Sequence, residues 1–291
     1  MSERSGGPRR RAGVAGSPIA HSLSPVLHRA AYQALGLSDW DYQRYEVGTG
    51  ELASFVNGLD AQWAGLSVTM PGKEEALTFA SDVTPRALLS GGANTLIRTE
   101  TGWLADNTDI DGITAALAEV GRQRIHSGWI IGSGATARSA MIALAGMGAT
   151  SICLQVRARP RPATLTLAQD LGIDVTVVGF DDGGVTDRPS MQGTDVAIST
   201  VPAGTAPLHP SQVLGGGALG SLVVMDVAYH PRRSEWATWW VDQGAHMVDG
   251  AVMLLHQGAA QVHLMTGHPA PLEPMRRAVL EALASDGHHP R

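Results

Sequence analysis

Two stretches of this chain combine residue types and spacing that suit anion and nucleotide chemistry. In "HSLSPVLH", Ser22 and Ser24 stand just ahead of a helix-like run. Paired hydroxyls and backbone amides at a helix N-terminus suit an anion. The same residues, with Pro25 in the first turn, also suit helix capping. In "GSGATA", Gly132, Ser133, Gly134, Ala135 and Ala137 fit the G-x-G-x-x-A form of the dinucleotide fingerprint. Gly132 would permit the tight turn, Gly134 the approach of a pyrophosphate, and Ala137 close packing of helix on strand. The strand after this turn exits through "QVRARPRP", with Arg157, Arg159 and Arg161 and no acid. A carboxylate there would favour NAD. Planar guanidinium groups suit the 2′-phosphate of NADP instead, although a solvated basic loop has the same composition.

Three further stretches are rich in neutral donors and acceptors. "LSVTMPGKEEAL" gathers Ser67, Thr69 and Lys73 around Pro71, "GGANTLI" sets Asn94 and Thr95 in a glycine-rich turn, and "DNTDIDGI" holds Asp106, Asn107, Thr108, Asp109 and Asp111. Taken alone, Lys73 reads as a solvated surface lysine. The oxygens of the last stretch lack the distal glutamate of a calcium loop, so no metal is expected, and Asp109 alone reads as a helix cap.

These turns need elements to hold them. Apolar runs bounded by glycines alternate with helix-like segments, the pattern of α/β folds with parallel sheets. Strands are expected at 12–16, 41–47 and 63–70, with a helix over "SPVLHRAAYQALGL". From about residue 110 the rhythm becomes repeated β–α units, with a strand at "WII", a helix at "ARSAMIALAGMG", and strands at "SICLQV", "VTVVGF", "TDVAIST" and "SLVVMDVAY". Helices with a few polar residues in "GAVMLLHQGAAQVHLMTG" close the chain. At 291 residues, 44% hydrophobic and 16% charged, the composition is that of a soluble globular protein of two domains. The formal charge of -6 argues against a nucleic-acid or membrane partner. A lone cysteine, Cys153, excludes an internal disulfide, suits a reducing cytoplasm, and reads as a core thiol. No run approaches the roughly 18 apolar residues that a bilayer span needs. Residues 1–11 carry Arg4, Arg9, Arg10 and Arg11 and read as a disordered tail.

The motifs "GSPIAHSLSPVLH", "SVTMPGK", "ANTL", "DNTDIDG", "GSGATARSA", "STVPAG", "VVMDVAYHP" and "DGAVMLLHQG" follow one another in an order that resembles the shikimate dehydrogenase family over nearly the whole chain. The resemblance implies an N-terminal α/β substrate domain and a Rossmann-type domain. The boundaries expected are 12–108 plus 250–291 for the first and 109–249 for the second, since Gln257 must reach the site of Ser22 and Lys73. It implies NADP-dependent interconversion of shikimate and 3-dehydroshikimate in aromatic amino-acid biosynthesis, by a monomer or homodimer.

Ser22 and Ser24 would bind the substrate carboxylate, with Tyr229 completing that pocket, while Ser67, Thr69, Asn94 and Gln257 would line the ring. Lys73 and Asp109 would form the catalytic pair. Thr200 and Met253 would join the glycine turn and the arginines around the cofactor, Met253 near the nicotinamide. The family pattern has asparagine at Ser67, Arg29 and Ser199, and "NRT" where this chain has "VRA" at 156–158. Ser67 opens the question of a quinate or aminoshikimate dehydrogenase. A non-catalytic ligand-sensing relative would lack the lysine or the aspartate, and both are present.

Overall fold

The computed structural model describes residues 10–180, 193–202, 205, 221–230 and 234–286. In chain order the first elements are β1 (Arg10–Gly16), α1 (Ser24–Ala34), β2 (Trp40–Glu46), α2 (Leu52–Asn57) and β3 (Trp63–Val68). They continue as α3 (Lys73–Phe79), β4 (Asp82–Val83), α4 (Pro85–Ser90), β5 (Thr95–Arg98) and β6 (Trp103–Asp106). Then come α5 (Asp109–Glu119), β7 (Ser127–Ile131), α6 (Ala135–Gly146), β8 (Ser151–Val156), α7 (Pro162–Asp170) and β9 (Asp174–Gly179). The last are β10 (Val196–Ser199), β11 (Val223–Asp226), α8 (Glu235–Asp242), β12 (His246–Asp249), α9 (Gly250–Thr266) and α10 (Leu272–Asp286). The chain forms two compact units, Met1–Thr108 with Leu255–Arg291, and Asp109–Leu254.

The first unit holds a six-stranded sheet in the order β2-β1-β3-β5-β6-β4. β1 lies parallel to β2 and β3, but β5 runs antiparallel to β3 and to β6. The sheet is therefore mixed, where the glycine-bounded runs suggested parallel pairing alone. The cause is the short "TETG" connection, which returns the chain as a hairpin at Gly102 instead of through a crossover helix. The expected tail, residues 1–11, also runs two residues too far. Arg10 and Arg11 pair with Trp40 and Asp41 as the first residues of β1, and Arg11 reaches Asp60 at 3.5 Å. Residues 1–9 lie outside the described residues.

The second unit is a doubly wound parallel sheet in the order β12-β11-β10-β7-β8-β9. Alternate residues along each central strand enter different cores. Ile130, Ile198 and Met225 pack with Ala140, Met141 and Leu144 of α6, whereas Trp129, Ala197 and Val224 pack with Trp236 and Trp240 of α8. With both faces covered, runs such as "WII" and "VVM" need no polar alternation. Strand order reverses between β7 and β10, the point at which such sheets open a crevice beyond the strand ends. Cys153 packs beside this second core, and burial pushes its thiol up to about 12, which leaves it unsuited as a nucleophile.

Candidate active site

In the first unit, side chains from β5, α9 and the turn ahead of α5 converge on Asn94, the residue before β5. Its Oδ1 accepts from the Thr108 backbone N–H at 2.8 Å and from Thr95 Oγ1 at 2.8 Å. Its Nδ2 donates to Thr108 Oγ1 at 2.9 Å and to Gln257 Oε1 at 3.3 Å. Behind it, Gln261 Nε2 donates to the Asn94 carbonyl at 3.1 Å and to Thr95 Oγ1 at 2.9 Å. Gln261 Oε1 accepts from Ser67 Oγ at 2.8 Å and faces His28 Nε2 at 3.4 Å, and Tyr42 donates to Ser67 Oγ at 2.7 Å. All of these side chains are buried. Buried amides and hydroxyls are tolerable when mutually satisfied, and such a network holds each member in one orientation.

Ser67, Asn94 and Gln257 are thus brought into one network. The other expected residues of this unit flank it. Thr69 and Lys73 lie on the turn from β3 into α3, where Thr69 N–H donates to the Ala15 carbonyl and the Lys73 carbonyl accepts from Ala93 N–H at 2.8 Å. The lysine is therefore tied by its main chain to the residue next to Asn94. Asp106 takes a different role: both of its oxygens are held by Arg86 at 2.6 Å, with Thr84 donating at 2.7 Å. Burial alone would raise this carboxyl, but the Arg86 and Thr84 hydrogen bonds outweigh it and hold the group below its ordinary range. It anchors the "DNTD" turn. Asn107 extends the anchor through Ser90 at 2.8 Å.

The hydroxyls of "HSLSP" do not cap α1. Leu23 occupies the cap position without a side-chain hydrogen bond, and Ser24 already belongs to the first turn with Pro25. Ser22 Oγ accepts from Ser24 N–H at 3.4 Å. Both serines are buried, Ser22 ahead of the helix and Ser24 in its first turn, and α1 also buries Leu27, His28, Ala31 and Tyr32. His28 stacks on Tyr42 with centroids 4.0 Å apart, and burial lowers its pKa to about 3 against a smaller opposing effect of the Gln261 hydrogen bond.

In the second unit the turn "GSG" leaves β7 at the point where strand order reverses. Gly132 has φ +109°, and a Cβ there would stand 2.6 Å from Thr200 Oγ1, which donates to the Ile131 carbonyl at 2.7 Å. Gly134 takes the cap position of α6 with no side-chain hydrogen bond, and a Cβ on it would meet nothing within 4 Å. The first glycine is demanded by backbone geometry, and the second stands in open space at a helix N-terminus. That combination fits a pyrophosphate. Ser133 is fixed from behind: its carbonyl accepts from Thr164 Oγ1 at 2.8 Å, and its Oγ accepts from Arg161 N–H at 3.2 Å.

Ala135 opens α6, and Ala137 is fully buried under it. Arg157 and Arg159 are exposed on the bend after β8, the end of the strand next to the turn. Asp109 and Asp111 lie in the first turn of α5, where negative charge complements the helix dipole. Tyr229 is half-buried just after β11, and Met253 is buried in the core beneath α6. Among the described residues, no group of His, Cys, Asp or Glu could hold a metal ion, and no helix is long and apolar enough to cross a membrane.

Sequence reasoning singled out Ser67, Asn94 and Gln257 but missed Tyr42, His28 and Gln261. One signal was available. Gln257 and Gln261 stand four apart on a largely apolar helix, hence on one face.

Residues 14–96 match the shikimate dehydrogenase substrate binding domain, and residues 250–280 match the shikimate 5'-dehydrogenase C-terminal domain. A shikimate dehydrogenase (NADP(+)) of Methanothermobacter thermautotrophicus is 34% identical over 279 residues, covering 94% of this chain and 97% of that one. The crystal structure of Mycobacterium tuberculosis shikimate dehydrogenase is 43% identical with a TM-score of 0.81, covering 94% of this chain and 99% of that one. A shikimate 5-dehydrogenase of Thermus thermophilus, solved in complex with NADP(H) and shikimate, is 25% identical with a TM-score of 0.80 and the same coverage.

Proposed function

Because this chain belongs to the shikimate dehydrogenase family, we propose that it catalyses the reversible, NADP-dependent oxidation of shikimate to 3-dehydroshikimate, a step of aromatic amino-acid biosynthesis. The observation that carries this reading is the buried amide–hydroxyl network joining Ser67, Asn94 and Gln257, a polar surface suited to a hydroxylated ring. Ser22 and Ser24, with Tyr229, bind the substrate carboxylate, and Thr69, Asn94 and Gln257 hold the ring hydroxyls.

Gly132, Ser133, Gly134, Ala135 and Ala137 form the seat of the pyrophosphate. Arg157 and Arg159 read the 2′-phosphate, and Thr200 and Met253 contribute on the nicotinamide side. NADP, when bound, takes up and gives back a hydride at the ring carbon. Lys73 handles the proton: its amine accepts it from the 3-hydroxyl during oxidation and returns it from the ammonium in reduction. The charged form also stabilises negative charge on that oxygen. Asp109 is the second member of the catalytic pair.

Ser67 decides between substrates. Its one proton is donated to Gln261, so it offers no donor to the additional hydroxyl of quinate. We therefore assign shikimate over quinate. The enzyme acts on a small molecule in the cytoplasm, as a monomer or homodimer. Mixing the purified protein with shikimate and NADP and following nicotinamide reduction by absorbance tests the reading. No absorbance change with NADP or NAD would end it.

A further inference from the structure

The amide orientations in the first unit follow from groups whose roles are fixed. The Thr108 backbone N–H can only donate, so the Asn94 atom 2.8 Å from it is Oδ1. The Asn94 backbone carbonyl can only accept, so the Gln261 atom 3.1 Å from it is Nε2. Gln261 Oε1 then faces Ser67 and His28, and both must donate to it. With the Ser67 proton committed, the Tyr42 phenol must donate to Ser67. On the other side, Thr95 accepts from Gln261 and passes its own proton to Asn94 Oδ1. Every hydrogen bond in the run Tyr42, Ser67, Gln261, Thr95, Asn94 therefore points one way. Asn94 Nδ2 is left as the atom facing Gln257, and it meets Gln257 Oε1 at 3.3 Å.

We infer that Gln261 is a positioning residue for the reaction: through Thr95 and the Asn94 carbonyl it steadies the Asn94 amide in the sense that the Thr108 N–H sets, and the Asn94 Nδ2 in turn holds Gln257 by its carbonyl oxygen, so that a substrate oxygen accepts at the Gln257 amide nitrogen. This rests on the reading that the first unit binds shikimate. Gln261 itself has no part in the chemistry, since all four of its hydrogen-bonding positions are filled by protein groups. Serine at position 67 completes the device, because its hydroxyl supplies the donor that Gln261 Oε1 requires.

The test replaces Gln261 by methionine, which keeps length and volume but removes all four hydrogen bonds. For Gln261→Met the KM for shikimate should rise about tenfold, kcat should fall by less, and the KM for NADP should stay unchanged. With 4-deoxyshikimate or 5-deoxyshikimate, whichever lacks the hydroxyl held at Gln257, wild type and Gln261→Met should have the same KM. Should Gln261→Met fail to fold, Thr95→Val interrupts the same run one link later and should give the same rise. A shikimate KM within twofold of wild type in the folded variant would overturn the inference, as would an equal rise with both deoxy substrates. Wild-type protein that does not turn over shikimate would instead remove the functional reading beneath it.

Discussion

Replacing Gly132 by alanine tests the nucleotide turn on terms the structure sets. At φ +109° an L-residue is strained by roughly 1–3 kcal/mol. The added Cβ would stand 2.6 Å from Thr200 Oγ1 and 3.2 Å from Val201 Cγ1. Thr200 can give way only by releasing its 2.7 Å hydrogen bond to the Ile131 carbonyl, a further loss of about 1 kcal/mol. Gly132→Ala should therefore destabilise the second unit by about 2–4 kcal/mol, lowering its melting temperature by roughly 4–16 °C. It should also raise the KM for NADP, because the turn that presents Gly134 is displaced. Calorimetry with and without NADP measures both effects. In a Thr200→Ala background the clash is absent, so adding Gly132→Ala should cost about 1 kcal/mol less. An undiminished cost in that background, or a Gly132→Ala protein within about 0.5 kcal/mol of wild type, would refute this reasoning.

Other substitutions probe the chemistry and the buried network. Lys73→Ala should lower kcat by a factor on the order of 10² to 10⁴ while changing shikimate binding much less, in steady-state and binding assays; near-normal turnover contradicts the assignment. Arg157→Ala should raise the KM for NADP far more than that for NAD, and equal effects would mean the guanidinium stacks on adenine without reading the phosphate. His28 is held neutral, its pKa lowered from 6.5 to about 3, so the unfolded chain takes a proton that the folded chain refuses. Stability present above pH 6.5 should thus decline as the pH falls towards 3, by up to about 1.4 kcal/mol per pH unit from this group. Urea titrations of His28→Phe should show a shallower decline than wild type across that range.

How much of this was legible beforehand depended on how local the signal was. The "GSGATA" turn carries its own reasons in glycine geometry and in the strand and helix on either side, and the strand-order reversal lies where that turn sits. Helix α1 was readable from Pro25 and the spacing of Leu27, His28, Ala31 and Tyr32. The β5–β6 hairpin was not, because two four-residue strands give too little alternation to separate from a loop. Serine capping of α1 failed because a buried Leu23 takes the cap position. Gln261 was illegible for a different reason. Its partners Ser67 and His28 lie 194 and 233 residues away, so a glutamine on a largely apolar helix gains meaning only when the fold brings them together.

The most direct measurement of the central claim is a set of four specificity constants, for shikimate and quinate, each with NADP and NAD. The Ser67 hydroxyl is committed to Gln261, and an additional substrate hydroxyl without a partner set for it changes binding by roughly 1–3 kcal/mol. The highest kcat/KM is expected for shikimate with NADP, at least about tenfold above quinate with NADP. Comparable or higher values for quinate would contradict it.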